Sequence, residues 1–473
     1  MRTSIGCVAG SLLLTITIAL LGPSAMVPGL PGSAGPPYWL GVQPDGHLVI
    51  ALAAAALALG AIGLLTGLYA VRHAPDPRLL LITGATVVAI LAFLPPFGSA
   101  DHLNYAAYGH LVTLGFDPYV TVPADIPLPW VEEWTRTPSV YGPLATGAQA
   151  FASWLGGSVR LTVFVLALIN AAAFIATALL LHHATRADPV RQRRAALLWT
   201  VNPLVIYQLA GGIHVDTLAI VFMIAALVAG SRFAVRRGVL LGLGIAVKVT
   251  VGLVALGPAW ESRRNPRMLA LLAGVATATV AVAYVIAGPH AFDQVLNASK
   301  SVSLATPWKL VQYGLQGLFG SGAYRIWIQI ASLILLVALA WGLVRRLGQD
   351  AVAVSLAFVV AWLFASPYAL PWYDGLAFAL LALVPATALD GFMAVRLALL
   401  SFAYLPARQA QQPADLGWLV DVVRARLVPW TLLALTVALG VWAWRGAGRV
   451  PTRPGSAEPR PSAPSPESRS PSR

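Results

Sequence analysis

Residues 47–72 read HLVIALAAAALALGAIGLLTGLYAVR, an unbroken run with no charged side chain until Arg72 closes it. As a helix rising 1.5 Å per residue, such a run is about 37 Å long. That exceeds the roughly 30 Å of hydrocarbon in a bilayer, so it reads as a membrane span. Similar apolar runs recur near 5–22, 79–97, 160–182, 195–210, 215–231, 268–286, 326–343, 351–367, 374–388, 391–405 and 426–444. Between them stand short basic blocks: Arg72/Arg78, Arg186 to Arg194, Arg232/Arg236/Arg237, Arg263/Arg264/Arg267, Arg345/Arg346 and Arg445/Arg449. With both termini inside, every block falls on the cytoplasmic face, as the positive-inside rule requires.

Composition agrees with this reading. The 473 residues are 58% hydrophobic and only 10% charged, against about 25% charged in soluble domains. Such a chain lacks the side chains to cover a water-exposed perimeter. The net charge of +13 would otherwise suggest nucleic acid, but here it sits in loops between spans, and no basic face forms around aromatic residues. Nucleic acid is therefore not an expected partner; the lipid bilayer is. A single cysteine, Cys7, rules out an intrachain disulfide or a cysteine metal cluster. The run at 5–22 reads as a first transmembrane helix in preference to a cleaved leader.

One stretch breaks simple parity. Residues 238–259 are apolar enough to cross, yet basic blocks flank both ends and Lys248 lies inside. A re-entrant pair of half-helices fits better, since broken helices at membrane depth persist where they are buried in protein or line a cavity. The sequence thus predicts an all-α polytopic membrane protein, with about 12 transmembrane helices, large outer loops and one re-entrant half-helix pair. Residues 1–449 form the membrane domain. The tail 450–473, rich in Pro, Ser and Arg, reads as disordered and cytoplasmic. The short run 142–155 is expected at the outer surface, and the outer loops at about 98–159, 287–325 and 406–425.

The acidic residues follow that topology. Eleven of the 18 carboxylates face outward, among them Asp101, Asp117, Asp216 and Asp374. Asp101 follows the third apolar run directly, with His102, Tyr105, Tyr108 and His110 after it. A carboxylate at the mouth of a helical bundle is partly desolvated, which raises its pKa and makes it a stronger base. His214 and Asp216 occupy a short outer connection after Gly211 and Gly212, suited to sugar hydroxyls or to a divalent ion. One His and one Asp do not complete a metal site, so no metal or other cofactor is expected. Trp372 and Tyr373 either stack on a sugar or belong to the interfacial aromatic belt. Lys300, Lys309, Arg325 and His290 are candidate cations for a phosphate. Lys248 is expected to face a cavity or pair with a carboxylate.

The ordered motifs resemble a known family. They are DHLNYAAYGH (101–110), GFDPY (115–119), PSVYGPL (138–144), Asn202-Pro203-Leu204, GGIHVD (211–216), the Lys248 segment and SPYALPWY (366–373). Together, over roughly residues 80–380, they look like the actinobacterial polyprenol-phosphomannose-dependent α-1,6-mannosyltransferases, which are GT-C membrane glycosyltransferases. The resemblance implies a GT-C-type bundle and inverting transfer of mannose from a lipid-linked donor to a glycolipid or glycan acceptor on the outer face. It implies an acidic residue of the first loop as base, for which Asp101 is the candidate. It adds Asp117 and Tyr141 to the substrate-binding set of His102, Tyr105, His214, Asp216, Lys300, Lys309, Arg325, Trp372 and Tyr373.

The residues themselves fit that chemistry. Nucleotide sugars are cytoplasmic, and the chain contains no Asp-x-Asp; an outward site needs a donor carried in the bilayer, such as a polyprenyl phosphate sugar. Its departing phosphate needs cationic stabilisation more than a general acid. The alternatives are a transporter or flippase, for which many spans, a broken helix and a midplane lysine are also expected, or a related enzyme using another lipid-linked sugar.

Overall fold

The computed structural model describes residues 1–32, 35–293, 301–408 and 410–445, and among them there is helix but no strand. The helices in chain order are α1 (Arg2–Leu21), α2 (Gly46–Tyr69), α3 (Pro77–Ala92), α4 (Asp101–Thr113), α5 (Pro143–Gly156) and α6 (Val159–Ala184). They continue as α7 (Pro189–Ala195), α8 (Pro203–Val205), α9 (Asp216–Val228), α10 (Ala234–Val247), α11 (Gly252–Ser262) and α12 (Pro266–Ala287). The last six are α13 (Pro307–Phe319), α14 (Arg325–Leu347), α15 (Ala351–Ala365), α16 (Gly375–Leu381), α17 (Leu389–Ala403) and α18 (Val428–Arg445). Among the described residues six helical stretches are long and apolar enough to cross a membrane: α1, α2, α6, α12, α14 and Ala414–Arg445. Three shorter apolar helices, α3, α9 and α15, stand with them. The chain is a polytopic membrane protein.

Small residues set the tightest packing. In lipid, where no hydrophobic drive holds helices together, close backbone approach and interhelical hydrogen bonds do that work. Gly60, Gly63 and Gly67 of α2 face α1, and an added Cβ at each would meet Ser11, Val8 or Ser4 within about 3 Å. Ser4 Oγ donates to Gly63 O and Ser11 Oγ to Ala56 O, each at 2.7 Å. The α5–α6 turn needs Gly157, whose φ of 66° is a left-handed conformation that side chains resist.

Two apolar runs depart from the continuous helices the sequence predicts. The run 195–210 is a chain of short turns, with wide π-type turns at Ala196–Thr200 and Ile206–Gly211 flanking α8. Residues 194–214 are all buried, a setting in which irregular backbone survives at membrane depth. Asn202 restitches it: its Oδ1 accepts from the Leu204 and Val205 amides, and its Nδ2 donates to Leu198 O. The run 374–388 holds only α16, because Pro385 cannot continue a helix. Arg194, bound bidentately to Asp390, donates to the freed Leu381 and Val384 carbonyls. The run 238–259 is α10 and α11, broken between Lys248 and Val251; α10 lies against α9 and α12, and α11 against α15. Lys300 and the 450–473 tail lie outside the described residues.

The connection between α3 and α6 folds over one end of the bundle, with α4 and α5 packed side by side. Arg408 clamps this cover: its guanidinium binds Glu132 and donates to the carbonyls of Ser24 and Val27.

Candidate active site

Asp101 opens α4 beneath that cover. Its amide donates to Ser99 Oγ at 3.0 Å, which anchors the first turn, and the residue is only 8% exposed. Burial pushes its carboxyl up to about 7; the Glu133 carboxylate adds to the rise and the Lys248 ammonium opposes it. A carboxyl titrating near neutrality is matched to proton abstraction at physiological pH.

A neighbour of Asp101 comes from the turn that precedes α9. His214 Nδ1 lies 3.7 Å from Asp101 Oδ2 and 3.3 Å from Tyr105 OH. Burial and the Lys248 charge hold the imidazole pKa well below its usual value, so the ring is neutral and the 3.7 Å contact is not an ion pair. His214 stacks on Trp372, with ring centroids 3.7 Å apart. Its Nε2 is buried without a hydrogen-bond partner among the described residues. The backbone that delivers it is strained. Ile213, β-branched, sits at φ 45°, a conformation that costs about 1–3 kcal/mol and persists where surroundings over-determine it. Those surroundings are visible: Gly211 packs on Phe97, Gly212 lies under the His214 ring, and Asn170 Nδ2 donates to His214 O at 2.8 Å.

Two residues further on, Asp216 Oδ1 accepts from Lys248 Nζ at 2.5 Å. The ammonium also stands 3.9 Å from the centroid of the Tyr373 ring, a cation–π contact. Trp372 and Tyr373 are presented by the turn Pro371–Asp374. That turn is braced from behind by the buried pair of Asp374 with Arg396, whose Nη2 donates to Leu363 O. The Tyr141 ring meets Tyr105 edge-on at 5.1 Å. Next to it, the Gly142 amide donates to Val247 O, and a Cβ there would come within 2.2 Å of Ala246 O. The cover thus rests on the end of α10 that bears Lys248. Gly142→Ala is expected to force the two apart, lowering the melting temperature by several degrees, which thermal unfolding in detergent reads.

Asp101, His102, Tyr105, Tyr141, His214, Asp216, Trp372 and Tyr373 are therefore gathered at one place. His102 is fully buried, with neither ring nitrogen partnered among the described residues, and burial next to the Arg408 charge pushes its pKa down to about 3. Other candidates have partners of their own. Asp117 accepts from the Tyr119 amide and from His290, tying the first loop to residues 288–293. Lys309 Nζ donates to Gln312 Oε1 at 2.8 Å, and Arg325 is exposed at the start of α14. Among the described residues, Lys248 is a cation that the geometry brings into the cluster. Tyr404, edge-on to Trp372 at 5.1 Å with the Arg424 guanidinium 5.5 Å from its ring, is a further lining residue that no motif marked. Among the described residues no group of three or more His, Cys, Asp or Glu side chains is placed to hold a metal ion.

Comparison with known proteins bears on the same residues. The family described as "Alpha-(1->6)-mannopyranosyltransferase, N-terminal domain" matches residues 4–262, a stretch that includes Asp101, Tyr141, His214, Asp216 and Lys248. Alpha-(1->6)-mannopyranosyltransferase B of Corynebacterium glutamicum is 26% identical over 331 residues, covering 60% of this chain and 51% of that protein. Alpha-(1->6)-mannopyranosyltransferase A of Mycobacterium tuberculosis is 29% identical over 328 residues, covering 61% and 62% respectively. The chain thus spans between half and two thirds of the length of these curated relatives. With the match running through more than half of its residues, the chain belongs to the alpha-(1->6)-mannopyranosyltransferase family.

Proposed function

We propose that this chain transfers mannose from polyprenyl-phosphomannose to an α-1,6-mannan or lipomannan-type glycolipid, on the outer face of the membrane and with inversion at the anomeric carbon. The observation that carries the reading is the buried Asp101 carboxylate facing neutral His214 and Tyr105, walled by Trp372 and Tyr373, within the segment that matches the family. Asp101 takes the proton of the acceptor hydroxyl as that oxygen bonds to C1. The bond from C1 to the phosphate oxygen breaks, and the polyprenyl phosphate leaves with its electron pair. Positive charge builds on the sugar ring in the transition state, as in glycoside hydrolysis, and stacked aromatic faces suit that charge. Lys248 supplies fixed positive potential beside the departing phosphate.

The test is transfer from polyprenyl-phosphomannose to a short α-1,6-mannoside, using membranes that hold this protein. Incorporation supports donor and linkage together. Rejection of this donor, with another lipid-linked sugar accepted, would replace the mannose; rejection of all of them by folded protein would move the transporter reading to first place.

The orientation carries its own prediction. Arg136 is exposed on the cover, so Arg136→Cys in a Cys7→Ser background should react with a membrane-impermeant maleimide added to intact cells. Reaction only after permeabilisation would put the Asp101 site on the cytoplasmic side and remove the argument for a lipid-borne donor.

A further inference from the structure

A cleft of about 580 Å3 opens at the other end of the bundle, lined by Arg78, Leu179, His182, His183, Arg186 and Gln192. Its distance from the Asp101 site follows from the chain path. Arg78 begins α3 while Asp101 follows the far end of that helix; His182 and His183 stand in the last turn of α6, which starts beside the cover, and Arg186 follows it. A 26-residue helix such as α6 is about 39 Å long, so the cleft is on the opposite membrane face.

We propose that this cleft binds the phosphate of an anionic lipid headgroup. Two guanidiniums and two imidazoles line it and no carboxylate does, and guanidinium is the side chain best matched to phosphate oxygens. The neighbouring carboxylates are occupied as helix caps. Asp76 accepts from the Arg78 amide, and Asp188 from the Val190 and Arg191 amides. Other arginines nearby are committed as well: Arg191 to Leu383 O, Arg193 to Arg72 O and Arg194 to Asp390. The Arg78 guanidinium, by contrast, makes no hydrogen bond or ion pair among the described residues, and Arg186 reaches only the His183 ring, at 3.0 Å. Gln192 Nε2 donates to His182 O and holds one wall in place.

The source of the phosphate follows from the cleft's surroundings. It sits at the end of a candidate membrane span, the level at which headgroups lie. Leu79, Ile82 and Leu179 are more than half exposed on the adjoining flanks of α3 and α6, an apolar path for acyl chains below the charged mouth. Basic pockets between membrane helices recognise anionic lipid headgroups in this way. The positive-inside rule alone would also place arginines here, but it gives no reason for a walled cleft, nor for one site to differ from other basic blocks of the chain.

Native mass spectrometry of the full detergent-solubilised chain distinguishes the two. Dioleoylphosphatidylglycerol is expected to remain bound where dioleoylphosphatidylcholine does not. Arg78→Gln with Arg186→Gln should weaken that binding by about thirtyfold, whereas Arg236→Gln with Arg264→Gln, two exposed arginines outside the cleft, should leave it unchanged. Equal losses from both pairs, or equal retention of the two lipids, would overturn the site. Inorganic phosphate that binds as tightly as the lipid would overturn the lipid source. If the double variant does not fold, Arg78→Gln alone carries the test, since that side chain bonds to nothing else among the described residues.

Discussion

Replacing Asp101 by Asn is expected to reduce the proposed mannose transfer by about a thousandfold, the scale of a lost general base, while making the protein more heat-stable above neutral pH. The two effects have one cause. Buried with its carboxyl held at about 7, Asp101 binds its proton more tightly in the folded state than the 3.8 of an ordinary aspartate. Below about 4 it is protonated folded or unfolded and costs nothing. As pH rises toward 7 the unfolded chain releases the proton readily and the folded one does not, so stability falls by about 1.4 kcal/mol per pH unit. Above about 7 the whole penalty is in force and constant. Asparagine, of the same shape and without a charge to desolvate, escapes it. Melting curves in detergent should therefore diverge from about pH 4 upward and run parallel above about 7, with the variant higher. Transfer by the wild type should fall on acidification through the same value, since only the carboxylate accepts a proton. A variant that melts lower at every pH would make Asp101 a structural residue, and one that keeps its turnover would remove it as the base.

The sequence made much of this site readable, for identifiable physical reasons. Apolar runs and basic blocks mark the spans because bilayer thickness and charge placement act on single segments. Asp101 stands out locally, as a carboxylate immediately after an apolar run. GGIHVD was visible as a short polar connection, but why it contains two glycines was not. That depends on Phe97 and on the His214 ring itself, contacts that no local pattern encodes. Asn202 looked like part of a signature and is a backbone repair in an irregular segment. Which cations stand beside the site is less legible locally. Lys309 is conspicuous in a chain with three lysines, yet it bonds to its helix neighbour Gln312. Lys248 reaches Asp216 only because the chain breaks between α10 and α11. Tyr404 and Arg424 join through a tertiary contact at the C-terminal end of α17, a pairing of residues 20 positions apart that periodicity does not signal.

Lys248→Met and Asp216→Asn should each be severe alone and mild together. The pair is buried, with Asp216 Oδ1 2.5 Å from Nζ and Oδ2 without a partner among the described residues. Removing one member leaves the other charge stranded, which costs about 3–5 kcal/mol, whereas removing both is often close to neutral. Each single variant should therefore express poorly or melt well below wild type, and the double variant should recover most of the difference, a coupling that a double-mutant cycle measures directly. Function separates the roles further. Lys248 lowers the Asp101 pKa and Asp216 raises it, so Lys248→Met should carry the pH–rate profile to higher pH, and the double variant should return it toward the wild-type position. If Lys248 also stabilises the leaving phosphate, the restored double variant will still turn over slowly, by two orders of magnitude or so. Full activity in the stable double variant would confine the pair to holding the α10–α11 break in place and would leave the phosphate to other cations, with Arg424 beside Tyr404 the next to test.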